Sequence, residues 1–401
     1  DTLRADHLSC YGYELETSPH IDSFAAGATL FEHNTTQCNS TFPSLTSILT
    51  GLFPKTHRNY LAVPIEGTAV VSASAPCLAE RFQALEYWTV ANISHPSWAD
   101  ADDTATVLRG WDDASFLGED VPFLERVALA TADHTNERLF PQLEHYRRLA
   151  GDEPLFLWAH YFDPHTDLPN VYDAPESTRN RWLRHHLERV GGAHYHDALA
   201  ALPPSERPDW IEAEVESSLR NAVNLANGSA LYDAEISSCD IGIGALFQHL
   251  KTLGLFDPAL IVLMADHGEN LESVEAGHGP LAFTHKQLYE SVAHTPLVVK
   301  LPGQTSGRRV DALTQNIDLV PTLLQLLGLA ADARLEGRSF ASLLAGGDEE
   351  IHELVFIESS DYLDRAVKSR ELKYVDRGEE RDPLVFEWRT DSAEKHELSK
   401  T

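Results

Sequence analysis

The stretch ALIVLMADHGEN (259–270) closes an apolar run with Asp266 and His267, and Gly268 permits the sharp turn that follows. A carboxylate beside an imidazole is a common way to hold a divalent cation. The plainer reading is an aspartate that caps the next helix. Three other stretches carry groups of the same kind. Asp1 heads DTLRADHLSCYGY, where it reads as a carboxylate at the end of a strand lying before it, or else as a loop cap. WAHYFDPHTD supplies His160, Asp163 and His165 directly after a buried run, and AGHGPLAFTHKQLYES supplies His278, His285 and Lys286. A lone loop histidine is ordinarily a solvated residue. Several gathered after two buried strands can bind an anionic ester and protonate its leaving group.

A hydroxyl group completes the set. In QCNSTFPSLTSILTGLFP (37–54), Ser44 stands just before an apolar-periodic run and fits a helix N-cap. Thr41 lies earlier, in the loop, where a metal or a base can activate its oxygen as a nucleophile. Ser40 has no assigned role.

Such groups need a rigid frame. Short β-rich runs at 154–162, 259–268 and 295–303 read as buried parallel strands, and apolar residues at helical spacing fill 231–254 and 317–329. Alternation of the two types predicts a doubly wound α/β sheet. Residues 170–230, rich in Arg, His, Glu and Asp, read as a helical insertion over that sheet. Beyond LPGQTSGRRV the pattern changes. RAVKSRELKYVDRG and DPLVFEWR read as short antiparallel strands, so a catalytic domain is expected over 1–303 and a small α+β subdomain over 304–401.

The totals exclude several functions. The chain has 401 residues, of which 62 are acidic and 31 basic, for a net charge of −31. Such a surface repels nucleic acid and anionic lipid, and it suits a protein kept soluble in high salt, so a halophilic source is expected. No apolar run approaches the ~20 residues of a membrane span. Cys10, Cys38, Cys77 and Cys239 are scattered without metal-binding or disulfide spacing. A cytoplasmic setting is favoured, with a signal peptide or anchor upstream of Asp1 left open.

The motifs DTLRADHLSCYGY, TSPHIDSFAAGATLFE, TFPSLTSILTGLFPKTH, FLWAHYFDPH, MADHGEN, LYESVAHTPLVVKLPG and SRELKYV occur in an order that resembles the sulfatase branch of the alkaline phosphatase superfamily, along nearly the whole chain. The resemblance implies a mixed central sheet, a smaller C-terminal subdomain with a short antiparallel sheet, and one divalent metal beside the nucleophile. It implies that Asp1, Asp266 and His267, with Thr41, are the metal ligands. His160, His165 and His285 would bind the substrate anion, with Lys286 one position from the expected cation.

Departures from the family pattern redirect the chemistry. Thr41 stands where sulfatases carry the Cys or Ser that becomes formylglycine, and threonine cannot form that aldehyde. Leu45 replaces the motif's Arg, and Thr2 replaces the second Asp of the metal pair. Ser94 and His95 stand where a Lys is expected. What remains resembles superfamily members that use a Thr nucleophile on phosphate esters, such as phosphoglycerol and phosphoethanolamine transferases. The expected function is metal-dependent hydrolysis of a sulfate or phosphate ester, phosphodiesters included, through a covalent ester of Thr41. The alternatives are such a transferase, or a non-catalytic sulfatase-like protein that binds an anionic glycan or lipid head group. The metal is Ca²⁺, Mn²⁺, Mg²⁺ or Zn²⁺. Specificity is expected to lie in 95–150 and 170–230.

Overall fold

Alternation along the strands decides how the layers pack. The computed structural model describes residues 1–59, 76–98, 109–117, 121–165, 178, 181–182, 217–271, 285, 287–330, 332–361 and 363–398. The insertion expected at 170–230 therefore lies largely outside the described residues. The strands are β1 (Thr29–Thr35), β2 (Trp88–Ile93), β3 (Asp113–Phe116), β4 (Leu155–His160), β5 (Ile261–Met264), β6 (Leu297–Lys300), β7 (Arg308–Gln315), β8 (Val355–Glu358), β9 (Arg365–Lys368), β10 (Lys373–Asp376) and β11 (Leu384–Phe386). The helices are α1 (Pro19–Ala25), α2 (Thr41–Thr50), α3 (Pro54–His57), α4 (Leu78–Gln83), α5 (Phe123–Ala128), α6 (Ala132–Ala150), α7 (Ser217–Thr252), α8 (Glu290–Ala293), α9 (Leu319–Leu326) and α10 (Ala341–Leu344).

A mixed sheet runs in the order β5-β6-β1-β7, with β6 antiparallel to both neighbours and β7 parallel to β1. A second, parallel sheet runs β3-β2-β4. The third, β11-β10-β9-β8, is wholly antiparallel. Successive side chains of a strand point to opposite faces. Leu30, Leu263 and Val298 thus meet Ile21 and Phe24 of α1 and Tyr232, Ile236 and Phe247 of α7 in one core. Val262 and Met264 face the other way, into a core built with Phe42, Leu45 and Ile48 of α2, Val320 and Leu323 of α9, and Ala91 and Ile93 of β2. Helices cover both faces, as the expected α/β class with a mixed sheet and a small antiparallel C-terminal sheet requires.

The expected boundary near residue 304 does not coincide with a change of sheet. β7 follows it and pairs with β1 from Thr29↔Arg308 to Thr35↔Gln315, with a register shift between Phe31 and His33. The antiparallel sheet begins at Val355. All four cysteines are free. Among the described residues no helix is long and apolar enough to cross a membrane.

The helix after the first sheet strand starts earlier than the sequence suggests. Ser44 is not its cap: the Ser44 amide already donates to Ser40 O at 3.1 Å, so α2 begins at Thr41 with Ser40 as N-cap residue. Pro43 is tolerated because the first-turn amides have no intrahelical acceptor to lose. The helix ends at Gly51, whose φ of 72° is left-handed and which lies so close to Leu335 that a Cβ would sit 2.9 Å from its Cδ2. Buried Ser47 packs on His57 of α3. The Asn59 amide donates to His57 Nδ1 at 3.1 Å, which leaves Nε2–H to donate to Ser47 Oγ at 2.9 Å.

Two outcomes follow from this packing. Gly242 of α7 approaches α6 so closely that a Cβ would lie 2.4 Å from Ala132 Cβ. Gly242→Leu is expected to cost about 1–3 kcal/mol and lower the urea midpoint. Burial pushes His57 down to about 3, below an ordinary value of about 6.5. The unfolded chain therefore takes up this proton first, and stability falls as pH drops from about 6.5 toward about 3, by at most about 1.4 kcal/mol per pH unit. His57→Gln is expected to flatten that part of the stability–pH curve in denaturant titrations.

Candidate active site

Strand ends deliver the acidic groups. β5 stops at Met264, and one residue on, past Ala265 at its carboxyl end, stand Asp266 and His267. Their backbone is pinned from two sides. Asn316 Nδ2 donates to Ala265 O at 3.0 Å and to Asp266 O at 3.2 Å, and Ser44 Oγ donates to Asp266 O at 2.6 Å. The hydroxyl expected to cap α2 thus instead ties α2 to the loop that carries Asp266 and His267. Thr2 holds a left-handed φ of 50°, costly for a β-branched residue. In that conformation its amide donates to Asp266 Oδ1 at 3.1 Å while its carbonyl accepts from Tyr232 Oη at 2.6 Å.

Asp1, Asp266 and His267 place ligand atoms within 4.8 Å of one another. His267 Nε2 lies 3.4 Å from Asp266 Oδ2 and 4.0 Å from Asp1 Oδ1. Thr41 Oγ1, at the first position of α2, is 3.4 Å from Asp1 Oδ1 and 3.3 Å from His267 Nε2. His267 Nδ1 contacts Gly268 O at 2.8 Å. Only an Nδ1–H can donate there, so Nε2 presents its lone pair to the carboxylates. Burial holds His267 neutral, at about 4, against the pull of Asp266. For Asp266 burial opposes ionisation, but the pairing with His267, the nearby terminal ammonium and the hydrogen bond from the His267 amide outweigh it and keep the carboxyl below its usual range.

Asp1 Oδ2 and Asp266 Oδ2 are buried and accept no hydrogen bond. Two such carboxylates in a dry pocket are expensive without a cation between them. The donor set of two carboxylates, a hydroxyl and a neutral imidazole therefore fits one divalent ion. Its imidazole suits Mn²⁺ or Zn²⁺ better than Ca²⁺.

Histidines surround the cluster. His160 is buried, with Nε2 3.5 Å from Asp1 Oδ2 and its ring stacked at 6.3 Å on Trp98, and burial lowers it to about 3. It lies against Asp1, a candidate metal ligand, as well as in the histidine group expected to meet substrate. His165 stacks on Phe162 at 4.5 Å and faces His285 at 5.9 Å, and His285 in turn lies 4.8 Å from His267, measured between ring centroids. Asn39 clamps His285 by donating to its carbonyl at 2.6 Å. A recess beside His165 is lined by Val127, Ala130, Thr131, Phe162, Asp163 and Glu235.

The structure thus gathers Asp1, Thr41, His160, His165, Asp266, His267 and His285. Lys286 and His278 lie outside the described residues. His95 was read only as a missing Lys, yet its buried ring sits 6.4 Å from both His160 and His165. It follows the buried end of β2, the same strand-end signal that marked Asp266. Asn39 and Asn316 carried no sequence signal, because each acts through backbone atoms remote in the chain.

The sulfatase family profile matches residues 1–329. The ulvan-active sulfatase of Formosa agariphila is 21% identical over 396 residues, covering 92% of this chain and 58% of that protein. Phosphonate monoester hydrolase SpPMH from Silicibacter pomeroyi superposes with a TM-score of 0.69 at 20% identity, over 98% of this chain and 88% of that one. BT4656, solved in complex with its substrate D-glucosamine-2-N,6-O-disulfate, gives 0.73 at 16% identity, over 100% and 92%. At these identities the structural likeness concerns the fold. Curated relatives such as arylsulfatase K of Mus musculus and the ulvan-active sulfatase are matched over only 33% and 58% of their own length.

Asp266→Asn and His267→Gln are expected to weaken Mn²⁺ binding by at least about tenfold in titration calorimetry, while circular dichroism stays native. Unchanged affinity in both would move the cation elsewhere.

Proposed function

Because the chain belongs to the sulfatase family, we propose that it is a metal-dependent hydrolase of phosphate, phosphonate or sulfate esters that uses Thr41 as its nucleophile, with phosphoryl-type esters preferred. The observation that carries this reading is Thr41 Oγ1 at the N-terminus of α2, within 3.4 Å of Asp1 Oδ1 and 3.3 Å of His267 Nε2. Threonine cannot supply the aldehyde hydrate of formylglycine sulfatases, but its own hydroxyl is a competent nucleophile once its proton is drawn off. Leu45 in place of the motif's Arg points the same way.

A divalent ion held by Asp1, Thr41, Asp266 and His267 would supply Lewis-acid stabilisation of the charge that develops on the transferred group. The positive end of α2 favours the same anion. Thr41 Oγ1 gives its proton to Asp1 Oδ1 and attacks the phosphorus or sulfur in line. The bond to the ester oxygen breaks, and that oxygen leaves with the electron pair and takes a proton from His165 or His285. The product is a covalent Thr41 ester. Water then attacks the same centre and gives a proton to the freed imidazole, while the Thr41 oxygen leaves and recovers its proton from Asp1. His95 and His160, kept neutral by burial, line the pocket and help exclude water.

The test is turnover of nitrophenyl esters of sulfate, phosphate, a phosphodiester and a phosphonate by Mn²⁺-loaded protein, beside Thr41→Ala and a chelated sample. The diester or phosphonate is expected to be fastest, chelation to abolish turnover, and Thr41→Ala to lose about 10³-fold or more. Undiminished turnover in Thr41→Ala would overturn the nucleophile, and sulfate as the fastest substrate would overturn the phosphoryl preference. Added glycerol separates hydrolysis from transfer by its product, and an inert protein that still binds the esters would be a sulfatase-like anion binder.

A further inference from the structure

The C-terminal sheet buries charges that the reaction does not use. Lys368 of β9 and Lys373 of β10 stand directly opposite each other in register, and both are fully buried. Like charges facing each other across a strand pair repel. Glu290, the first residue of α8, resolves the conflict: its Oε2 lies 2.7 Å from Lys368 Nζ and its Oε1 lies 3.1 Å from Lys373 Nζ. Glu394 balances the second lysine at 3.0 Å and accepts the Glu290 amide at 2.7 Å. The Trp388 ring covers Lys368 Nζ at 3.9 Å. Burying four charges is an expensive way to attach a sheet. The apolar cluster of Leu288, Tyr289, Ala293, Ile357, Val375 and Phe386 already does so.

What the ionic network adds is a fixed position for α8. The next two carbonyls of that turn hold the metal loop: Val292 O accepts the Gly268 amide at 2.8 Å, and Ser291 O accepts the Glu269 amide at 3.1 Å. Ser291 Oγ also bonds Asn270 Oδ1. The seating leaves no slack, since a Cβ on Gly268 would lie 2.0 Å from Ser291 O. The Gly268 carbonyl is in turn the acceptor that fixes the His267 tautomer. A continuous path therefore runs from Lys368 and Lys373 through Glu290 and two peptide groups to the His267 ring.

We propose that Glu290, clamped by Lys368 and Lys373, is a positioning residue that aims His267 at the cation, so that the C-terminal sheet sets the metal affinity of a site on another sheet. This rests on the metal reading of Asp1, Asp266 and His267. The test is Mn²⁺ titration calorimetry on the full chain, with folding followed by circular dichroism and urea denaturation. Two variants are used: Glu290→Gln, and the charge-balanced Glu290→Gln/Lys368→Met, which leaves Lys373 paired with Glu394. The expected result is a folded double variant that binds Mn²⁺ about 10–100-fold more weakly than the parent, as outer-shell changes do. Unchanged Mn²⁺ affinity in a folded variant would overturn the proposal and leave Glu290 a fold anchor. Failure of both variants to fold would overturn it equally, because the network would then serve folding rather than the site. No Mn²⁺ binding by the parent protein would instead overturn the metal centre itself.

Discussion

Two buried carboxylates, each with one oxygen that accepts no hydrogen bond, set the terms for this protein. Asp1 Oδ2 and Asp266 Oδ2 are both out of water, where lost hydration makes each charge costly, although the groups around Asp266 hold it ionised. A divalent cation held between them would offset that cost. Much of the surrounding structure holds the two groups together. The amide of left-handed Thr2 holds the Asp266 carboxylate, and the Asn316 amide and the Ser44 hydroxyl hold the Asp266 carbonyl.

The three sheets divide this work. The mixed sheet carries Asp266 and His267 beyond the end of β5, and the parallel sheet brings His95 and His160 from the ends of β2 and β4. The antiparallel sheet reaches the site indirectly. It braces α8 on one side, and on the other it bonds the segment before Thr41, where Glu358 N donates to Gln37 O at 2.9 Å and Ser360 N donates to Asn39 Oδ1 at 2.8 Å. Removing the C-terminal region would therefore loosen both Thr41 and the loop that carries Asp266 and His267.

Some of this was legible in the sequence, and the reasons are local. An apolar run that ends in Asp-His-Gly announces a strand end with a site on it, so Asp266 and His267 were readable, as was the α/β class. Thr41 is marked by its place in a motif, but the apolar period becomes visible only after Ser44, which makes Ser44 look like the cap, whereas the helix already begins at Thr41 with Pro43 in its first turn. The pairing of β7 with β1, the role of Ser44 and the Glu290 network were not readable. Each joins residues far apart in the chain, Glu290 lying 78 and 83 positions from its two lysines, and neither periodicity nor spacing records such a pairing.

The most direct test of the chemistry is to catch the covalent ester. Mn²⁺-loaded protein is mixed with a slow phosphodiester or phosphonate substrate, quenched in acid during turnover and digested for accurate-mass peptide mapping. A phosphoryl or phosphonyl adduct on Thr41, absent when chelator is added first, is the expected result. Turnover with no adduct at Thr41, or with the adduct on another side chain, would contradict a threonine nucleophile in this site.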